Sequence, residues 1–317
     1  MQQRYVGDSG LKVSRLALGT MTWGQDTDEH EAKDQLTAFV GAGGTMIDTA
    51  AGYTDGRSEK LVGSLLGQVV AREDLVLATK AGIWRRGNQQ VTDTSRGALL
   101  RGLDTSLRRL GTDYLDLWQV HLWSDDVPLE ETLSALDYAV SSGRARYVGI
   151  SNYSGWQSAR AVTLQQSVAQ RAPIVSTQIE YSLVNRRIER EALPAAAALG
   201  LGVFPWSPLG RGVLTGKYRS GTPSDSRAAS AAFAGFVETY LDERGHRIVE
   251  AVCRAADGLG WEPLEVALAW VRDAPGVTAP VLGARTARQL KAALAAEAKT
   301  LPAEIRRALD DVSEGAR

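Results

Sequence analysis

Short apolar runs recur along the chain, and helical patterns separate them. Runs that read as buried strands begin near Leu16, Thr45, Leu75, Tyr114, Ala145, Ile174, Leu201 and Val277. Strands covered on both faces of a parallel sheet are apolar throughout, without strict alternation. The clearest helix starts near Pro128, repeats Leu129, Leu133, Leu136 and Val140, and stops at Gly143. Proline in the first turn and glycine past the last are helix-terminal signals. Leu99, Leu103, Leu107 and Leu110 mark another helix, ended by Gly111, and Ser154 with Gln157 has capping-box spacing before a further one. Eight strands alternating with helices predict an α/β fold with a parallel sheet, and that number predicts closure into a (β/α)8 TIM barrel.

Two stretches break the alternation. Arg4-Tyr5-Val6 and Leu11-Lys12-Val13, separated by Gly7-Asp8-Ser9-Gly10, predict an N-terminal β-hairpin that plugs the bottom of the barrel. The long loop between strands 7 and 8 starts with Arg219 to Ser230, rich in Ser, Gly, Ala and Pro. Long irregular loops in compact domains are often functional, and this one reads as a lid. Its continuation, Val237 to Ala274, looks helical. With no linker, repeat array or low-complexity tail in view, residues 1–317 read as a single domain.

Composition narrows the function. Hydrophobic residues make up 44% and charged residues 23%, and the formal net charge is -1. That balance supplies a large core but no basic field for nucleic acid. No apolar run approaches the ~20 residues of a membrane span. Met1-Gln2-Gln3-Arg4-Tyr5 lacks a signal peptide's apolar core, and Cys253 is the sole cysteine, so no internal disulfide can form. A soluble cytoplasmic protein is expected. Lys80 is the only lysine between Lys60 and Lys217, in a chain whose usual cation is arginine.

That lysine belongs to a set. Asp48, Lys80 and His121 each follow or close an apolar run, and Tyr53 lies in the loop after Asp48. If the strands are parallel neighbours, all four reach one rim, and barrel active sites gather at the C-terminal ends of strands. Tyrosine, with a reference pKa of about 10, is a poor proton donor at neutral pH. A nearby Lys80 ammonium is expected to lower that value, and Asp48 to keep the lysine charged and oriented. His121 can hydrogen-bond a carbonyl oxygen. Together they would polarise and protonate an aldehyde or ketone while a hydride donor attacks carbon. No zinc-site spacing is present, and His30 and His246 sit in helical segments away from strand ends.

A wider set of motifs resembles the aldo-keto reductases from end to end. The carriers are Leu18-Gly19-Thr20-Met21-Thr22-Trp23-Gly24, Ile47-Asp48-Thr49-Ala50 with Tyr53, Thr79-Lys80 and Gln119-Val120-His121. Further carriers are Gly149-Ile150-Ser151-Asn152-Tyr153, Gln178-Ile179-Glu180-Tyr181-Ser182-Leu183, Trp206-Ser207-Pro208-Leu209-Gly210-Arg211-Gly212 and Leu282-Gly283-Ala284-Arg285-Thr286. The match looks closest to the bacterial branch related to potassium-channel β subunits. The resemblance implies a (β/α)8 barrel and NADPH-linked carbonyl reduction. It makes Tyr53 the general acid, Lys80 and Asp48 its tuning pair, and His121 the carbonyl-orienting group. It gives Ser151, Asn152 and Gln178 to the nicotinamide carboxamide, with Trp206 stacked on the ring. Ser207 to Lys217 resembles a strap over the pyrophosphate, including Pro208, Leu209, Gly210, Arg211 and Gly212. Arg285, opening the last barrel helix, resembles the contact to the 2′-phosphate, so NADPH is expected over NADH. Thr20, Met21, Asp48, Gly283 and Gln289 complete the implied cofactor set. The chain departs from the family after Gln289-Leu290: an acidic residue and an Asn often found there are Ala292 and Ala293.

Trp23, Trp84 and Trp123 follow the first, third and fourth strands and are candidates for a substrate pocket wall. Aromatic walls suit apolar or ring-bearing carbonyl compounds, although Arg85 and Arg86 beside Trp84 leave an anionic substrate open. The expected partner is a small carbonyl or alcohol, with no nucleic acid, membrane or metal; the oligomeric state is not indicated. A second reading is an NADP(H)-binding sensor or accessory protein with slow turnover. A third, Schiff-base chemistry on Lys80, leaves Trp206, Ser151, Asn152 and Arg285 without a purpose.

Overall fold

The chain opens with an antiparallel hairpin, β1 (Gln3–Tyr5) and β2 (Lys12–Ser14), in which Gln3 faces Ser14. The computed structural model describes residues 1–86, 89–223, 227–229 and 234–314, and side chains 85, 86, 227 and 234 are not described. Val6, Leu11 and Val13 pack in one cluster with Met46, Ala78, Leu117, Val175 and Phe204, which come from the early part of barrel strands. The hairpin therefore closes the bottom of the barrel, as its position suggested. Gly7, at φ +55°, makes this docking possible: a Cβ there would lie 2.1 Å from the Gly200 carbonyl oxygen.

The barrel begins with β3 (Ala17–Gly19), α1 (Glu29–Gly41), β4 (Met46–Asp48) and α2 (Arg57–Leu65). Next come β5 (Val76–Ala81), a hairpin of β6 (Ile83–Arg86) and β7 (Gln89–Thr92), and α3 (Arg96–Leu110). The order continues β8 (Leu115–Val120), α4 (Leu129–Ser141), β9 (Ala145–Ser151), α5 (Gly155–Gln166), β10 (Ile174–Glu180), α6 (Ala192–Ala198) and β11 (Gly202–Trp206). The helical stretch expected after Val237 contains α8 (Glu243–Leu259) and α9 (Pro263–Arg272), preceded by the short α7 (Ala234–Glu238). The chain ends with β12 (Val281–Gly283), α10 (Ala287–Leu294) and α11 (Ala303–Ser313). The suggested lid, Arg219 to Ser230, falls partly outside the described residues.

Eight strands form one parallel sheet in the order β11-β10-β9-β8-β5-β4-β3-β12. Its two ends meet: Val277 bridges Val203 of β11, and the Thr278 N–H donates to the Val203 carbonyl at 2.8 Å. The result is a nearly closed (β/α)8 barrel. Its last strand starts later than the apolar run from Val277 suggests. Pro280 has no N–H for a ladder, although its carbonyl still accepts from Ala17 N–H at 3.0 Å. The β6–β7 hairpin was not anticipated; its signal was Gly87-Asn88 between two short runs.

Helix ends follow local chemistry. Ser154 and Gln157 form the expected capping box on α5, and Gly111 closes α3 at φ +64°. No helix among the described residues is long and apolar enough to cross a membrane.

Candidate active site

Strand register brings the four residues together. Asp48 ends β4 opposite Ala78 of β5, and Lys80, two residues on, faces Gln119 of β8. Lys80 Nζ donates to Asp48 Oδ2 at 2.6 Å and to the Thr49 carbonyl at 2.8 Å. Asp48 Oδ1 accepts from Gln178 Nε2 at 2.9 Å and more weakly from Gln119 Nε2 at 3.5 Å. Lys80 Nζ lies 5.1 Å from the Tyr53 ring centroid. The Tyr53 ring stands edge-on to His121, centroids 5.9 Å apart at 79°. A buried ammonium, a carboxylate, a phenol and an imidazole thus share the rim at the C-terminal ends of β4, β5 and β8.

Tyr53 is held by its loop. Thr54 and Asp55 adopt positive φ, and Gly56 follows at φ +83°. A Cβ on Gly56 would lie 2.1 Å from Arg109 Cζ. That guanidinium donates from Nη1 to the Ala51 carbonyl and to Glu59 Oε2, both at 3.1 Å. The other oxygen of the fully buried Glu59 accepts from Thr79 Oγ1 at 2.7 Å. The loop carrying Tyr53 is therefore fastened to α2, α3 and β5.

Burial sets the protonation states. The Tyr53 phenol is pushed above its ordinary value by burial; Lys80 works against the shift and Asp48 adds to it. The lowering expected from Lys80 is present, but desolvation of the phenolate outweighs it. Burial pulls Lys80 down, but Asp48 and Tyr53 together raise it, so it remains an ammonium. His121 is pushed down to about 3 by burial and then by Lys80, so its imidazole is neutral. Its Nδ1 is buried without a partner among the described residues.

The residues assigned to a cofactor fall into three groups. Ser151, Asn152, Gln178 and Trp206 meet at the ends of β9, β10 and β11. Ser151 Oγ donates to the Gln178 carbonyl at 2.9 Å, and Asn152 Nδ2 to the His121 carbonyl at 3.1 Å. Trp206 Nε1 donates to Asn152 Oδ1 at 2.9 Å. The strap after β11 turns tightly: Ser207, Gly210, Arg211 and Gly212 all have positive φ. Pro208 is buried in it, Leu209 is half-buried, and Lys217 is exposed with its Nζ 5.2 Å from the Tyr218 ring centroid. At the start of α10, Arg285 and Gln289 line a pocket of about 400 Å³ with Asp26, Glu31, Thr286 and Arg288. Gly283 is exposed at the end of β12 and Met21 half-buried after β3.

Two residues of the implied cofactor set, Arg211 and Thr20, have side chains already engaged within the protein. Arg211 does not present a free guanidinium. It grips Glu180 through Nε and Nη2 at 3.1 and 3.0 Å, donates to the Phe236 carbonyl, and lies 3.5 Å from the Phe236 ring centroid. It ties the strap to α7. Thr20 is fully buried, its hydroxyl shared between the Asp48 carbonyl at 3.2 Å and Ser58 Oγ at 2.8 Å. Its side chain is structural.

The tryptophans divide. Trp23 is fully buried and donates to Gln35 Oε1 at 3.2 Å, so it belongs to the core and not to a pocket wall. Trp84 turns its ring edge onto α3, where a Cβ on Gly102 would meet Cη2 at 2.6 Å, which gives it a packing role. Trp123 stands at the rim, its ring 5.1 Å from Tyr153 and 5.4 Å from Trp156. Trp156, 54% exposed, was not singled out from the sequence. Gln119 was missed too, although it shares a strand face with His121 by period-two spacing. Side chains 85 and 86, considered for an anionic substrate, lie outside the described residues.

The model of the aldo/keto reductase family matches residues 15–314. The chain belongs to the aldo/keto reductase family. It is 37% identical to YrpG, an uncharacterized oxidoreductase of Bacillus subtilis (strain 168), over 99% of this chain and 97% of that protein. It is 35% identical to a probable voltage-gated potassium channel subunit beta of Oryza sativa subsp. japonica, over 92% and 89%. Against the L-glyceraldehyde 3-phosphate reductase of Escherichia coli (strain K12) the identity is 34%, over 92% and 86%.

Aldo/keto reductases generally use NAD(P)H, and the rim of this barrel fits such a group. Among the described residues, the non-glycine positive-φ positions are Thr54, Asp55, Asn152, Ser207, Arg211 and Gln170. All but Gln170 lie in loops after β4, β9 and β11, and strained backbone of this kind gathers where a ligand is held. The orphaned His121 Nδ1 lies on the same rim.

Proposed function

We propose that the chain is an NADP(H)-dependent reductase of aldehydes and ketones, with Tyr53 as the proton donor. The observation that carries this is the Lys80–Asp48–Gln178 network, which fixes an ammonium against the Tyr53 phenol beside a neutral His121.

Each group has a role its environment supports. The nicotinamide that these residues would hold would supply a hydride to the carbonyl carbon. As charge gathers on the carbonyl oxygen, the neutral His121 donates a hydrogen bond to it and orients it. His121 bears no spare proton at ordinary pH, and Lys80 is occupied by Asp48 and Thr49, so Tyr53 gives up its proton. Lys80 then stabilises the phenolate, and Asp48 holds Lys80 in position. Ser151, Asn152 and Gln178 would hold the nicotinamide carboxamide, Trp206 would stack on the ring, and Arg285 would meet the adenosine end. The half-buried Trp123 favours apolar or ring-bearing substrates.

The experiment is an NADPH-consumption screen over aldehydes, ketones and sugars, including 4-nitrobenzaldehyde and methylglyoxal. Steady oxidation of NADPH with at least one carbonyl supports the proposal. Tight NADPH binding with no turnover across the panel rejects it in favour of the sensor reading, which draws on similarity to the channel β subunits. The intact Tyr53, Lys80 and His121 cluster favours catalysis.

A further inference from the structure

We propose that Glu31 determines how strictly the chain distinguishes NADP(H) from NAD(H), by fixing a negative charge at the helix terminus beside Arg285. The inference rests on the dinucleotide reading above.

Glu31 lies in the first turn of α1, where its own N–H donates to the cap residue Asp28 Oδ1 at 2.9 Å. Its side chain crosses to the neighbouring helix, and Oε2 accepts the Ala287 N–H at the start of α10 at 2.6 Å. The carboxylate is thus seated between the positive ends of two helices, a favourable place for an anion. The other donors nearby are also engaged. The Gln289 N–H donates to Thr286 Oγ1 at 3.2 Å, and the Arg285 N–H to Gln289 Oε1 at 3.0 Å.

An incoming 2′-phosphate carries up to about two negative charges near neutral pH. In the pocket of about 400 Å³ it meets Arg285 and Arg288, but also Asp26 and Glu31. The guanidiniums attract it, while the carboxylates repel it and Glu31 withholds the Ala287 amide. A neutral ribose 2′-hydroxyl has the opposite preference, because a carboxylate accepts its hydrogen bond. The mixed pocket therefore admits both cofactors, and Glu31 weakens the selectivity that Arg285 provides.

The test is calorimetric titration of NADP+ and NAD+ into the wild-type chain and Glu31→Gln, with thermal melts to verify folding. Glutamine keeps an acceptor for the Ala287 N–H and removes only the charge. NADP+ is expected to bind roughly three- to ten-fold tighter in the variant, the size of one screened charge at a helix terminus. NAD+ is expected to bind within about two-fold of wild type or more weakly. Glu31→Ala, which also frees the amide, is expected to shift NADP+ in the same direction. Equal changes for both cofactors, or no gain for NADP+, overturn the inference and leave the proposed function standing. A wild-type chain that binds neither cofactor overturns both.

Discussion

Lys80 and Asp48 are each about 1% exposed, so neither charge tolerates loss of the other. Removing one partner of a buried pair leaves an uncompensated charge and costs about 3–5 kcal/mol. Lys80→Met is expected to destabilise the fold by that amount in urea unfolding; a loss below about 1 kcal/mol would show the pair to be solvated. His121 has its own signature. Its folded pKa of about 3 lies below the unfolded 6.5, so the unfolded chain binds more protons between those values. The neutral ring's contribution is intact above the unfolded value and is lost as pH falls toward the folded one. Between pH 7.5 and 5.5 the wild type should lose about 1 kcal/mol relative to His121→Asn. Equal losses in both would place a charged imidazole in the native state. The sequence revealed the identities of these residues, because each stands out against an apolar run. It could not reveal the sign of the Tyr53 shift, which depends on how much water the finished fold removes. Nor could it separate Trp23 from Trp123, since one residue type serves core and rim alike.

At the scale of elements, the barrel was legible because its strands are apolar and its helices carry clear terminal residues. Arg109 shows what was not. On α3 it reads as one more surface arginine, yet it fills the space over Gly56 and holds both the Tyr53 loop and Glu59. That contact joins residues more than forty positions apart, and no local pattern announces it. Arg109→Ala leaves Glu59 buried without its cation. Allowing for the partly exposed guanidinium, the expected cost is about 2–3 kcal/mol. Carbonyl turnover should fall as well, because the Tyr53 loop loses its anchor. Unchanged stability and turnover together would show that the loop is held by other contacts. The engagement of the Arg211 guanidinium was not legible either: its partners Glu180 and Phe236 lie far away in sequence, and only the folded chain brings them together.

At the scale of the whole molecule, the hairpin plug and the strand closure at Val203 and Val277 tie the two ends of the sheet together among the described residues. We expect the chain to unfold as a single domain. Calorimetric and van't Hoff enthalpies should then agree in scanning calorimetry, and two resolved transitions would divide the chain. The barrel brings Asp48, Tyr53, Lys80 and His121 to one rim, where we propose that they deliver a proton to a carbonyl. That claim is tested most directly by steady-state NADPH oxidation in Tyr53→Phe, with NADPH affinity measured in parallel. The expected result is a loss in kcat of roughly a hundred- to ten-thousand-fold with cofactor binding preserved. Turnover within a few-fold of wild type in Tyr53→Phe would contradict it.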